Sequence, residues 1–434
     1  MTTLNIETAK LRESTRSDAA RESLMAGVIP VLAWIAIWLG INSAPDVLTE
    51  IPIGVLGWAH LIRTMAPLVM LFVLTPTILS RRFSDEFPGA TQLWLIYGLI
   101  GAAMSVLSAE PWQAAYWAGC YLSVFVAVAV YLQGPQPLQR AVQLNYLSWI
   151  IAAAFLATLI YLTRGILFTG EGLGVTAYSA FTRMPEIGGM AMSRASGMAR
   201  FAAVPGIVSF VMIWAARGWR KIPFAAVAMG SIYLIWALQS RGAMIGFVAA
   251  VAFAMLFIGK WPRFIGISLL VLIAAVASGR IVSDETYDQI MKHVARGQDS
   301  EQLETMTGRT RSWEDAWQFA RDNPLGRGPQ ADRFFIGEHV HNTYLYALLE
   351  SGFIGAALFA AGVAWAWWMF FRGIWSEVPD ELGHRAFLVQ VGALLMFFTV
   401  RSIPEVCGAM YGVDLMVMLP AVAYLGLLDR RMTR

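Results

Sequence analysis

His341 stands where the longest hydrophilic segment of this chain meets a long apolar run, at the head of HNTYLYALLESGFIG. An imidazole has an unperturbed pKa of about 6.5, so near neutral pH it takes a proton from a hydroxyl and holds it. His341 therefore has general-base potential, although a single histidine at a membrane interface serves equally as an anchoring residue. If the apolar run is helical from His341 onward, Gly352 lies on the same stripe roughly 16 Å along the axis, with Gly355 beside it. Glycines in that stripe would let a second helix press on the backbone and set the height of the histidine.

Arginine supplies the complementary chemistry. Arg241 is the only charged residue between Lys221 and Lys260. That stretch, roughly 57 Å as a helix, is long enough for two crossings of a bilayer, which puts Arg241 at the turn. Arg194 and Arg200 lie in SRASGMARF before a later apolar run, and Arg309 and Arg311 lie in TGRTR. A guanidinium stays charged at any working pH and takes phosphate oxygens two at a time, so such residues suit an anionic leaving group. Snorkelling to headgroups is the competing role for Arg241, and a solvated loop for Arg309 and Arg311. Metal chemistry would need clustered ligands, but there is no D-x-D, and His339 and His341 would point apart on a helix. No metal or other cofactor is expected.

These residues need a membrane scaffold to hold them. Hydrophobic residues make up 57% of the chain and charged residues 14%, with a mean hydropathy of +0.57. A soluble domain carries nearer a quarter charged. Apolar runs at 24–45, 54–79, 92–109, 112–132, 145–163, 201–216, 222–238, 242–259, 264–279, 341–371, 386–400 and 411–428 predict about twelve transmembrane helices. The second is interrupted by Arg63. Connections on the side of both termini carry Arg81, Arg82, Arg140, Arg217, Arg220, Lys221, Lys260, Arg263, Arg372 and Arg385, which marks that side as cytoplasmic. The expected organisation is a polar tail at 1–23 and one polytopic domain at 24–434, with a long external loop at 280–340 between spans nine and ten. Another long external segment covers 164–200. Within the large loop, Ser312 and Asp315 have capping-box spacing, Trp313, Ala316, Trp317 and Ala320 share a helical face, and Asn323-Pro324 with Gly326 stops the helix. Arg309 and Arg311 should then precede that helix. Cys120 and Cys407 lie in or near apolar runs, so neither a disulfide nor a cysteine metal site is expected.

His341-Asn342, nine residues, then Gly352-x-x-Gly355 resembles the signature of the bacterial O-antigen ligase family. That family sits in a superfamily with polysaccharide polymerases and protein O-oligosaccharyltransferases. The resemblance extends through Ser240-Arg241-Gly242, Thr307-Gly308-Arg309 and Asn323-Pro324-Leu325-Gly326-x-Gly328, while Ala356 stands where the family usually has Gly, Thr or Tyr. It implies an all-α integral membrane protein of the membrane-glycosyltransferase (GT-C-like) type, with a large periplasmic loop. It also implies metal-independent, inverting transfer of a glycan from undecaprenyl diphosphate to a sugar hydroxyl. Carried onto this chain, His341 becomes the base and Arg241 and Arg309 grip the diphosphate, with Arg194, Arg200, Arg311 and Asn342 as further substrate-binding positions. Implied partners are the lipid-linked glycan donor, a lipid A-core or glycan acceptor and membrane lipids, with no nucleic acid. The implied location is the bacterial inner membrane, with the site facing the periplasm. Ligase is favoured over polymerase on the His341 motif. A transporter of lipid-linked glycan is disfavoured, because the ionisable residues gather at one face rather than through the spans.

Overall fold

The structure, a computed structural model, describes residues 28–41, 54–79, 89–134, 136–167, 195–259, 309–376 and 384–433. Its helices, in chain order, are α1 (28–39), α2 (Gly54–Leu79), α3 (Gly89–Met104), α4 (Pro111–Leu132), α5 (Pro137–Leu167), α6 (Ala195–Ala215), α7 (Lys221–Ala237), α8 (Arg241–Ile258), α9 (Arg309–Asp322), α10 (Thr343–Trp375), α11 (His384–Arg401) and α12 (Val413–Thr433). The described residues contain no strand. Seven of these helices are long and apolar enough to cross a membrane, so the chain is an all-α, multi-pass membrane protein. Every predicted span except 264–279 overlaps a helix. That segment, the tail at 1–23 and residues 280–308 of the large loop lie outside the described residues.

The core is organised around α12, in which every residue from Val413 to Leu428 is buried. A helix apolar nearly all round belongs inside a bundle, and α12 packs against α3, α4, α5, α10 and α11. α5 reaches it through Asn145, whose Nδ2 donates to the Pro420 carbonyl at 2.9 Å. Next to it, α3 and α10 pack along their lengths. There the Trp94 indole donates to the Phe359 carbonyl at 3.1 Å and the Ser351 hydroxyl to the Tyr97 carbonyl at 3.2 Å. Both cysteines are free and buried.

Several boundaries differ from the sequence expectation in ways that matter for the site. α6 begins at Ala195, so Arg200 lies within it rather than before it. Arg309 and Arg311 lie within α9 instead of ahead of it. Ser312 consequently caps nothing; its hydroxyl is bonded to the Glu338 carboxylate. The buried stripe of α9 is Ser312, Ala316 and Ala320, with Trp317 rotated out to the surface. α10 starts at Thr343, leaving His341 off the helix, and it is broken at Gly352, where φ is 65° and ψ −170°. His341, Gly352 and Gly355 therefore do not share a helical stripe.

Candidate functional site

The break in α10 is where the large loop is fastened. Residues 324–328 run against it backbone to backbone: Arg327 N–H donates to the Leu349 carbonyl at 2.8 Å, Gly328 N–H to Glu350 at 2.9 Å, and Phe353 N–H to Pro324 at 3.1 Å. Only glycine fits here on either side. A Cβ on Gly352 would meet the Pro324 oxygen at 2.3 Å, and one on Gly326, whose φ is +82°, would meet the Gly352 nitrogen at 2.5 Å. The Asn323-to-Gly328 motif and the first glycine after His341 are thus two halves of one joint, pressed on by a loop rather than by a helix. Gly355 does face a helix, since a Cβ there would lie 3.4 Å from Tyr97 of α3.

Beyond that joint the chain makes one π-helical turn, Asp332–Ile336, and then delivers His339 and His341. His341 has φ 47°, a left-handed conformation uncommon outside glycine. It is held from both sides. Before it, the Val340 N–H donates to Asp332 Oδ2 at 3.1 Å and the Val340 carbonyl accepts from the Trp313 indole at 2.8 Å. After it, Asn342 caps α10, its Oδ1 accepting from the N–H groups of Tyr344 and Leu345 at 3.0 Å each while its Nδ2 donates to the Ile403 carbonyl at 3.1 Å. Thr343 finishes the clamp, its N–H donating to the Ser402 carbonyl at 2.9 Å and its hydroxyl to the Glu405 carbonyl at 2.9 Å.

The loop between α11 and α12 is what these bonds grip, and Glu405 is its chemical centre. Its Oε2 lies 3.2 Å from His341 Nδ1, and its Oε1 lies 3.4 Å from Arg309 Nη2. The same guanidinium bonds the Pro404 carbonyl. The start of α8 abuts this corner, because a Cβ on Gly242 would come 3.6 Å from Pro404 and 4.0 Å from Glu405. His341 and Arg309, distant in sequence, thus meet at Glu405, with the head of α8, where Arg241 stands, next to them. Burial alone would raise the Glu405 pKa, but the hydrogen bond to His341 and the charges of Arg401, His341 and Arg309 bring it down to about 2. A neutral His341 that presents Nδ1–H to this carboxylate would keep a lone pair on Nε2.

The remaining positions divide. Arg200 Nη1 bonds Asp414 Oδ2 at 3.1 Å, and Arg401 Nη1 approaches Oδ1 of the same carboxylate at 3.4 Å, which forms a cluster on the inner side of Glu405. Arg311 is exposed on α9 and is not part of the Glu405 cluster. Arg194 lies outside the described residues. Sequence reasoning passed over Glu405, Asp414, Asp332 and Arg401. The available signal was that Glu405 and Asp414 are the only acids in the otherwise apolar stretch from 386 to 428, where an ionisable group is costly unless paired.

Residues 225–360 match the family model described as O-antigen ligase. Over this segment the chain is similar to the O-antigen ligase family. The match takes in Arg241, Arg309 and His341 and stops short of Glu405. The chain is also similar to the exopolysaccharide production protein ExoQ of Rhizobium meliloti (strain 1021), at 33% identity over 130 residues. That alignment covers 26% of this chain and 28% of ExoQ, so the chain spans little more than a quarter of this relative.

Proposed function

We propose that this protein is a membrane glycosyltransferase that moves a glycan from undecaprenyl diphosphate to a sugar hydroxyl at the periplasmic face of the inner membrane. The observation that carries the reading is the meeting of His341, Arg309 and the head of α8 around Glu405. In the reaction, His341 Nε2 takes the proton of the acceptor hydroxyl. The oxygen forms its bond to the anomeric carbon with inversion, and the bond from that carbon to the diphosphate oxygen breaks, its electron pair leaving with the diphosphate. Arg241 and Arg309 neutralise that departing charge. Both termini are cytoplasmic in this scheme, in keeping with the basic connections on their side. The chemistry needs no metal.

The acceptor separates two versions of the reading. The family description supports a ligase, joining O-antigen to lipid A-core. The alternative is a polymerase, in which the acceptor is another lipid-linked glycan; ExoQ is named an exopolysaccharide production protein, in keeping with a role in making polysaccharide. A deletion strain distinguishes them: polymer accumulating on its lipid carrier identifies a ligase, and single repeat units on the core a polymerase.

Purified protein in nanodiscs, given lipid-linked glycan and acceptor, tests the reaction itself. His341→Ala should lower turnover roughly a hundredfold or more with donor binding intact. Arg241→Ala should also weaken donor binding, by about 1.5–3 kcal/mol per lost charge-assisted bond, and Arg241→Lys should restore part of it. Transfer should persist in EDTA. Near-normal transfer by His341→Ala would exclude the mechanism.

A further inference from the structure

A second carboxylate–histidine pair stands against the first, and nothing in the reaction above uses it. Asp332 is fully buried, and its Oδ2 lies 2.6 Å from His339 Nδ1. The same oxygen accepts the Val340 N–H at 3.1 Å, and Oδ1 accepts the Arg333 N–H at 3.0 Å. One carboxylate thus takes three donors, two of them from the residues directly preceding His341. The His339 ring stands nearly edge-on to the His341 ring, with centroids 4.7 Å apart and planes at 69°. Tyr346 borders the other side of His339 at 6.2 Å.

The arrangement depends on the π-helical turn. Asp332 opens that turn, its own carbonyl accepts the Gly337 N–H at 3.1 Å, and Gly337 at φ 88° reverses the chain so that residues 339–340 come back across the Asp332 side chain. Extra-wide turns of this kind are often kept where a site needs a side chain re-aimed. A left-handed His341 is not the backbone's own preference, so some contact must impose it. Asp332 grips the two preceding residues, and Glu405 grips only the ring.

We propose that Asp332 and His339 form a positioning pair for His341: Asp332 fixes the backbone that turns His341 toward the acceptor, and the His339 ring blocks rotation of the His341 imidazole. The proposal rests on His341 being the base. Neither residue needs to touch substrate, so both should act on turnover and leave donor binding alone.

The test is a double-mutant cycle in nanodiscs, reading turnover, donor binding and thermal stability for Asp332→Asn, His341→Ala and the double variant. Asp332→Asn should lower turnover about tenfold, less than the loss from removing the base itself, with donor binding unchanged. The double variant should be no slower than His341→Ala alone, because a positioning residue has nothing left to position. His339 supplies an independent arm, since its side chain is partly exposed. His339→Asn keeps a donor near the Nδ1 position and should retain more turnover than His339→Ala, with equal donor binding. Should Asp332→Asn fail to accumulate, that ordering carries the test. Full turnover by Asp332→Asn or by His339→Ala would overturn the proposal, as would a double variant slower than His341→Ala by the whole factor of Asp332→Asn. Normal transfer by His341→Ala would instead remove the base and the proposal with it.

Discussion

Two arginine–carboxylate clusters lie back to back at one end of the bundle, and they differ in access far more than in composition. At the outer one, the side chains of His341, Arg309 and Glu405 are 31%, 27% and 22% exposed. At the inner one, Arg401 and Asp414 are 3% exposed each, with Arg200 at 18%. Burial strengthens attraction between opposite charges, but it also makes each of them expensive to leave alone. The inner cluster cannot release a partner to engage a substrate without stranding a charge. The outer one borders solvent and can. Asp414 thus holds α6, α11 and α12 together, whereas Glu405 joins His341 and Arg309 where solvent reaches them. Arg401 links the two, since its charge acts on both carboxylates.

The largest expected effect follows from that contrast. Asp414→Ala leaves Arg200 and Arg401 facing one another without their shared counter-ion, and breaking a buried pair this way costs about 3–5 kcal/mol. The Nε atoms of both arginines already lack hydrogen-bond partners, so each depends on the bonds that Asp414 accepts. Thermal unfolding in detergent should show a large drop for Asp414→Ala and a smaller one for Glu405→Ala. Equal losses would mean that access is not what separates the clusters.

The outer cluster was more legible in sequence than the inner one, and the reason is physical. His341 and Arg241 carry local signals, each standing alone at the end of an apolar run, and Arg309 carries one through its Thr307-Gly308-Arg309 resemblance. Glu405 and Asp332 acquire their roles only through chain reversals, Asp332 through a π-helical turn and Glu405 through a loop 64 residues beyond its histidine. No periodicity announces such contacts. Glycine was half legible. The spacing of Gly352 correctly implied close backbone approach, yet it could not say that the approaching backbone is the Asn323–Gly328 loop or that the helix breaks to receive it. Asn342 shows the reverse, since its place in the motif suggested substrate binding while its side chain is engaged at the helix cap.

A second prediction uses acid to probe the outer cluster. Glu405 is held at about 2, below the ordinary carboxylate value of 4.5. A depressed carboxyl stabilises the fold fully above its unfolded pKa, and that contribution disappears as pH falls through the folded value. The window is therefore roughly pH 4.5 down to 2, worth on the order of 3 kcal/mol at 1.36 kcal/mol per unit. Glu405→Gln should flatten the stability profile of the protein across that window. It should also slow transfer near neutral pH, because the imidazolium formed at His341 loses its anionic partner. An unchanged acid limb in the variant would show that other carboxylates govern it.

The smallest effect decides what Asn342 does. As a helix cap it should cost about 1 kcal/mol when replaced by alanine, through the two N–H groups of α10 left without an acceptor. Asn342→Asp supplies the same acceptor at the positive end of the helix and should recover the lost stability, although it cannot donate to the Ile403 carbonyl. Turnover in the two variants then separates capping from substrate contact. A cap that steadies His341 predicts that Asn342→Asp transfers nearly as well as wild type, with Asn342→Ala only a few-fold slower. An amide that binds the glycan or diphosphate predicts the opposite order, because a carboxylate repels an anionic donor and loses the N–H donors that an amide offers. Unfolding temperature and transfer rate, measured together on both variants, tell the two roles apart even though the energies involved are small.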